Sequence, residues 1–176
     1  GWLRLEIATT QQTQLTRAET RVLLEELERL PYILQSSPER TYIPFRTAHD
    51  TYYDRMWHLE DLEMETAWNI TIGETTQRVG VVDTGLVRNH EDLTEKDLTG
   101  YDFITESDQA KDGNGRDPDY QDEGDGGNCW GTQMEDSWHG THVAGTALAS
   151  TNNNLGMAGM NWNAKLVTGR AMGLCG

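Results

Sequence analysis

The chain has 176 residues, with 14 Lys and Arg against 29 Asp and Glu, and so carries a formal charge of −15. Such an excess of acid argues against a nucleic-acid binder, which needs a basic footprint to neutralise phosphates. The length suits one ordinary domain or a domain with an appendage, and no stretch approaches the roughly 20 apolar residues needed to span a bilayer.

Residues 1–46 have their own character. Trp2-Leu3-Arg4-Leu5-Glu6-Ile7 alternates apolar and polar side chains as a half-buried strand does, and Gly1-Trp2-Leu3-Arg4 lacks the basic-then-apolar form of a secretion signal. The chain is therefore expected to be soluble, with any signal already removed. Thr16-Arg17-Ala18-Glu19 has the form of a helix capping box, and Leu15, Ala18, Val22, Leu23, Leu27 and Leu30 recur at helical spacing until Pro31. Tyr32-Ile33-Leu34 then reads as a short strand. Residues 37–56 hold Pro38, Pro44 and scattered aromatics without periodicity, so a linker or extended arm is expected, with the domain boundary after residue 46.

In residues 47–176, Leu59, Leu62, Ala67 and Trp68 suggest a short helix, and Arg78-Val79-Gly80-Val81-Val82 is the compact apolar run of a buried parallel strand. From Asp102 to Asp136 there are eleven acidic and two basic residues. Within this stretch Asp112-Gly113-Asn114-Gly115-Arg116-Asp117 consists nearly throughout of turn residues, and carboxylates far outnumber cations. It either stays solvated or folds around a hard cation held by Asp112, Asn114 and Asp117, although it lacks the terminal Glu of an EF-hand. Cys129 and Cys175 allow one disulfide, and their Gly-rich surroundings point weakly to an oxidising compartment.

The chemistry is expected at two segments. Asp83 closes the apolar run and is followed by Thr84-Gly85, which places a carboxylate at a strand's C-terminal tip, where α/β sheets put their sites. His139 begins His139-Gly140-Thr141-His142-Val143-Ala144-Gly145-Thr146, whose small residues suit a helix running close under other backbone. A helix N-terminus disfavours added positive charge, so an imidazole there stays neutral and can accept a proton. The imidazolium then formed needs a buried carboxylate partner, the role assigned to Asp83. His142 is expected to be an internal, hydrogen-bonded histidine. A zinc site from His139 and His142 is disfavoured, because paired zinc histidines on a helix usually stand four apart and no Glu follows His139.

Val81-Val82-Asp83-Thr84-Gly85 and His139 to Thr146 resemble the aspartate and histidine motifs of the subtilisin-like serine proteases, the subtilases. Trp57-His58-Leu59 upstream and Gly156 to Leu166 downstream are similar to the family as well, so that the resemblance runs from about Asp50 to Gly176. It implies an α/β fold with a parallel sheet flanked by helices, and serine endopeptidase activity on protein or peptide substrates. It also implies a secreted bacterial type, extracellular or periplasmic, to which the Asp112 to Asp117 loop and both cysteine positions are closest. Residues 1–46 resemble the latter half of the family's inhibitory propeptide, a partial α+β, ferredoxin-like module.

By the same resemblance, Arg170 and Met172 lie near the substrate groove. Ca²⁺ is the expected cofactor, with oxygen ligands from Asp92, Asn153, Leu155 and Met157, an additional carboxylate from Asp50, and Thr151 in the same loop. Cys129 and Cys175 match a disulfide spacing of secreted bacterial members. None of the five serines, Ser36, Ser37, Ser107, Ser137 and Ser150, stands in a Gly-Thr-Ser-Met-Ala-like segment. The nucleophile is therefore expected outside this chain, and the chain alone is expected to be inactive. It would be a fragment, one chain of a nicked zymogen whose other half carries the Ser, or a truncated pseudoprotease. The alternative is a noncatalytic module that inhibits or chaperones a complete protease.

Overall fold

A computed structural model describes residues 16–37 and 46–176. The chain divides into two compact units, Gly1–Ile43 and Pro44–Gly176. In the first, α1 (Arg17–Glu28) opens with the expected reciprocal cap: the Thr16 hydroxyl accepts the Glu19 N–H, and the Glu19 carboxylate accepts the Thr16 N–H at 2.8 Å. That backbone bond, the larger effect, and the Thr16 hydroxyl hold the Glu19 carboxyl below its usual range. The strand expected at Tyr32-Ile33-Leu34 is instead a run of turn and bend. Ser36 folds back onto the helix, its hydroxyl donating to the Leu24 carbonyl at 3.1 Å and its N–H to Glu28 at 2.8 Å. A strand needs a neighbour for its ladder, and residues 16–37 provide none. The strand expected at residues 2–7 lies outside the described residues.

In the second unit, residues 46–52 form an arm tied to distant loops: the Arg46 N–H donates to Asn69, His49 to Asn152 and Tyr52 to the Gly156 carbonyl. Aperiodic sequence here is thus an anchored segment. A 3₁₀ turn (Tyr53–Arg55) leads into α2 (Trp57–Asp61) and α3 (Met64–Ile70). The single short helix expected from Leu59 to Trp68 is broken at Glu63, whose φ of 52° is left-handed. Trp68 is buried among Ala48, Met56, Leu59 and Ala158, and its indole N–H is satisfied by the Met160 carbonyl at 2.8 Å.

The main sheet has three parallel strands in the order β1 (Arg78–Asp83), β5 (Lys165–Arg170), β2 (Asp97–Asp102). Between β2 and β5 come α4 (Ser107–Ala110), an antiparallel hairpin of β3 (Gly127–Cys129) and β4 (Thr132–Met134), and α5 (His139–Leu148). Parallel strands need such crossovers. The core is built from Val81 of β1, Ala144 and Leu148 of α5, Leu166 of β5, and Leu86 and Leu93 from loops. Burying each large aliphatic side chain contributes about 1.5–3 kcal/mol. β1 is not buried on both faces, as the apolar run suggested, for Val81 points into the core while Val82 is 71% exposed. A strand's side chains alternate, and among the described residues only one face of β1 is covered.

Candidate active site

Strand register brings the site together. Asp83, Arg170 and Asp102 occupy one row at the C-terminal ends of β1, β5 and β2. The Asp83 carbonyl accepts the N–H groups of Ala171 and Met172 at 2.8 and 3.2 Å, which fixes the strand tip, and its carboxylate accepts the Thr84 N–H at 2.8 Å. His139, the first residue of α5, places Nδ1 2.9 Å from both Asp83 oxygens. The carboxylate is largely buried and the imidazole largely exposed. Nδ1 is thereby committed to the carboxylate, and Nε2 is left as the nitrogen that can exchange a proton.

Close approach of α5 to the β1 tip depends on Gly140. A Cβ there would lie 2.4 Å from the Gly85 carbonyl oxygen and 3.1 Å from the Asp83 Cβ. The Gly140 N–H instead reaches the Thr84 hydroxyl at 2.9 Å, and that hydroxyl donates to buried Asp122 at 2.7 Å. Sequence reasoning missed Asp122, one acid among many in its segment.

The Arg170 side chain is turned into the protein. It is 1% exposed, its guanidinium contacts Asp102 at 2.6 Å and Asp112 at 3.1 Å, and it also donates to the Ala110 carbonyl. A cation so enclosed ties the sheet to the acidic loop. Met172, by contrast, is 42% exposed and follows directly on the bonds to Asp83.

In the acidic loop the carboxylates already have partners within the protein. Asp112 faces the Arg170 guanidinium and accepts the Asn114 N–H, while Asp117 accepts from the Asn114 side chain at 3.0 Å and the Asp119 N–H at 2.6 Å. These oxygens shape turns and meet an arginine 58 residues away, the counter-charge that local sequence could not reveal. Arg88 and Lys111 likewise lie within 4 Å of Asp119 and Asp136.

Asp50, Asp92, Thr151, Asn153, Leu155 and Met157 converge on the loop after α5. Asp92 is buried, accepts the Asn153 amide at 2.7 Å and the Met157 N–H at 2.8 Å, and is in no salt bridge among the described residues. Asp50, also buried, accepts the N–H groups of Asn152 and Asn153 at 3.0 and 3.1 Å. The loop wraps so tightly that a Cβ on Gly156 would stand 2.3 Å from an Asp92 oxygen. Two buried carboxylates with an Asn side chain and backbone carbonyls are a donor set suited to a hard ion.

His142 is not internal. It is exposed and lines an apolar cavity of about 720 Å³ with Tyr52, Leu93, Trp138 and Met157, because no described residue covers that side of α5. Among the described residues, no group of three or more His, Cys, Asp or Glu side chains is placed to hold a metal, so His139 and His142 gather no third ligand of these types. Cys129 and Cys175 form a disulfide with Cα atoms 5.5 Å apart, joining the end of β3 to the segment after β5. Among the described residues, no helix is long and apolar enough to cross a membrane.

Comparison with known proteins places the chain in a family. The Subtilase family profile, peptidase S8, matches residues 74–175. An extracellular protease of Xanthomonas campestris pv. campestris is 39% identical over 92% of this chain and 29% of its own length, and an extracellular basic protease of Dichelobacter nodosus is 32% identical over 92% and 28%. A solved protease of Pseudoalteromonas arctica superposes with a TM-score of 0.69 at 44% identity, covering 74% of this chain and 40% of that one. The chain thus spans under a third of the two curated relatives' length. With that family profile matching more than half of the chain and a relative 39% identical over 92% of it, the chain belongs to the subtilase family.

Proposed function

We propose that this chain forms the acid–base half of a secreted serine endopeptidase. Asp83 orients His139 and offsets the charge it gains, and His139 takes the proton of a serine hydroxyl and returns it to the leaving amine. The observation that carries this reading is the contact of His139 Nδ1 with both Asp83 oxygens at 2.9 Å. None of the five serines stands in a segment like the family's serine motif, and none of Ser107, Ser137 and Ser150 is hydrogen-bonded to the His139 imidazole, so in this reading the nucleophile comes from polypeptide outside these 176 residues, and the chain alone does not hydrolyse peptides. Residues 1–46 act as part of an inhibitory propeptide, a role supported by relatives whose similarity extends over 92% of the chain and so takes in most of that segment.

Ca²⁺ belongs at the loop after α5. Asp92, Asn153 and the carbonyls of Leu155 and Met157 would hold it, with Asp50 beside them, and the ion would neutralise two buried carboxylates and stiffen the loop. The disulfide and the printed names of the extracellular relatives support secretion.

The test uses the longer protein that carries the nucleophile, assayed on a chromogenic peptide. Asp83→Asn should lower kcat by about 10⁴-fold, with KM little changed, because an amide holds the imidazole in the wrong tautomer. A variant retaining kcat within tenfold of the parent would overturn the assignment.

A further inference from the structure

The first turn of α5 is capped in an unusual way. Its N-cap residue, Trp138, offers no side-chain bond and stands at a left-handed φ of 51°. Two hydroxyls serve instead, each backed by a carboxylate. Thr84 with Asp122 holds the Gly140 N–H, as described above. The Ser137 hydroxyl accepts the His139 N–H at 3.3 Å and donates to Asp125 at 2.7 Å, while the other Asp125 oxygen accepts the Ser137 N–H at 2.6 Å.

Asp125 is itself gripped from behind. Its carbonyl accepts the Cys175 N–H at 2.8 Å, and Cys175 is covalently joined to Cys129. The next residue, Gly126, donates its N–H to Asp136 at 2.8 Å, so the segments before and after the β3–β4 hairpin are tied side by side. A continuous path therefore runs from the disulfide through Asp125 and Ser137 to the backbone of His139. Burial alone would raise the Asp125 carboxyl, but the two Ser137 bonds, its own backbone N–H and the nearby Lys111 charge together outweigh it and leave the group below its usual range.

We propose that Asp125 and Ser137, tethered by the Cys129–Cys175 disulfide, are positioning residues that hold the His139 imidazole against Asp83. The inference rests on reading Asp83 and His139 as the proton-handling pair. The His139 side chain is 61% exposed, so lateral packing does little to orient it. Its direction follows from the backbone of the helix's first residue, and that residue's N–H is held by Ser137. Without this hold the first turn frays and the imidazole swings away from the carboxylate.

The experiment is nuclear magnetic resonance on the full 176-residue chain with ¹⁵N-labelled histidine at neutral pH. An imidazole N–H that donates to a carboxylate resonates downfield of the amides, and the His139 signal is assigned by its loss in Asp83→Asn. Ser137→Ala, Asp125→Asn and the double variant Cys129→Ser/Cys175→Ser should each move that resonance upfield or broaden it through faster exchange with water. Ser137→Thr, which keeps the hydroxyl, should restore it. The amide spectrum of the β1–β5 core reports that each variant is folded, and if Asp125→Asn unfolds, the comparison of Ala with Thr at exposed Ser137 decides. An unchanged His139 resonance in folded Ser137→Ala would overturn the proposal. A histidine spectrum that Asp83→Asn leaves untouched would instead overturn the Asp83–His139 pairing itself.

Discussion

Gly140 offers the sharpest quantitative test of how the site is built. Substituting Ala places a methyl group 2.4 Å from the Gly85 carbonyl oxygen and 3.1 Å from the Asp83 Cβ, and neither neighbour is the yielding end of a flexible side chain. Overpacking against rigid neighbours costs about 1–3 kcal/mol, and this overlap belongs at the upper end. Replacing Gly within a helix returns about 1 kcal/mol, leaving a net loss of about 2 kcal/mol. Gly145, five residues on in the same helix, is the internal control. Its added Cβ would meet only the terminal methyl of Met157, at 3.0 Å, which can turn aside. Gly145→Ala should therefore be neutral or stabilising by up to about 1 kcal/mol. Thermal and urea unfolding followed by circular dichroism measures both, with Gly140→Ala expected to lower Tm by about 5–10 °C. If Gly140→Ala proves as stable as Gly145→Ala, then α5 does not press on the β1 tip as described, and the account of how His139 meets Asp83 is wrong.

Other consequences are equally measurable. Arg170→Met strands Asp102 as an unpaired buried charge and should cost about 3–5 kcal/mol in urea unfolding, most of it recovered when Asp102→Asn is added. Because the Asp125 carboxyl lies below its usual range in the folded chain, its contribution is complete above about pH 4 and lost as pH falls through the folded value. Tm measured from pH 6 down to pH 2 should thus fall more steeply in the parent than in Asp125→Asn. Calorimetry should show Ca²⁺ binding between micromolar and millimolar levels that disappears in Asp92→Asn, whereas Asp117→Asn should leave it unchanged; the reverse pattern would move the ion to the acidic loop.

Motifs of short range were readable from the residues themselves. The Thr16 cap and its helix, the β1 run ending in Asp83, and the small-residue helix opened by His139 all depend on neighbours a few positions apart. Their backbone preferences and apolar spacing already carry the information. The short strand expected at Tyr32 has no neighbouring strand among the described residues of its unit, and His142 is exposed where no described residue covers its side of α5. Neither condition can be seen in a local pattern.

Three-dimensional packing settled the rest. That Arg170 counters Asp102 and Asp112 turned on partners 68 and 58 residues away. Asp112 and Asp119 of the acidic segment meet Arg170 and Arg88, which are distant in sequence. Asp125 meets Ser137 across 12 residues, and its carbonyl accepts the N–H of Cys175, whose disulfide partner Cys129 is 46 residues away. Charge and hydrogen-bonding capacity are written in each side chain, but electrostatic energy falls with distance through space, and only the folded chain sets those distances.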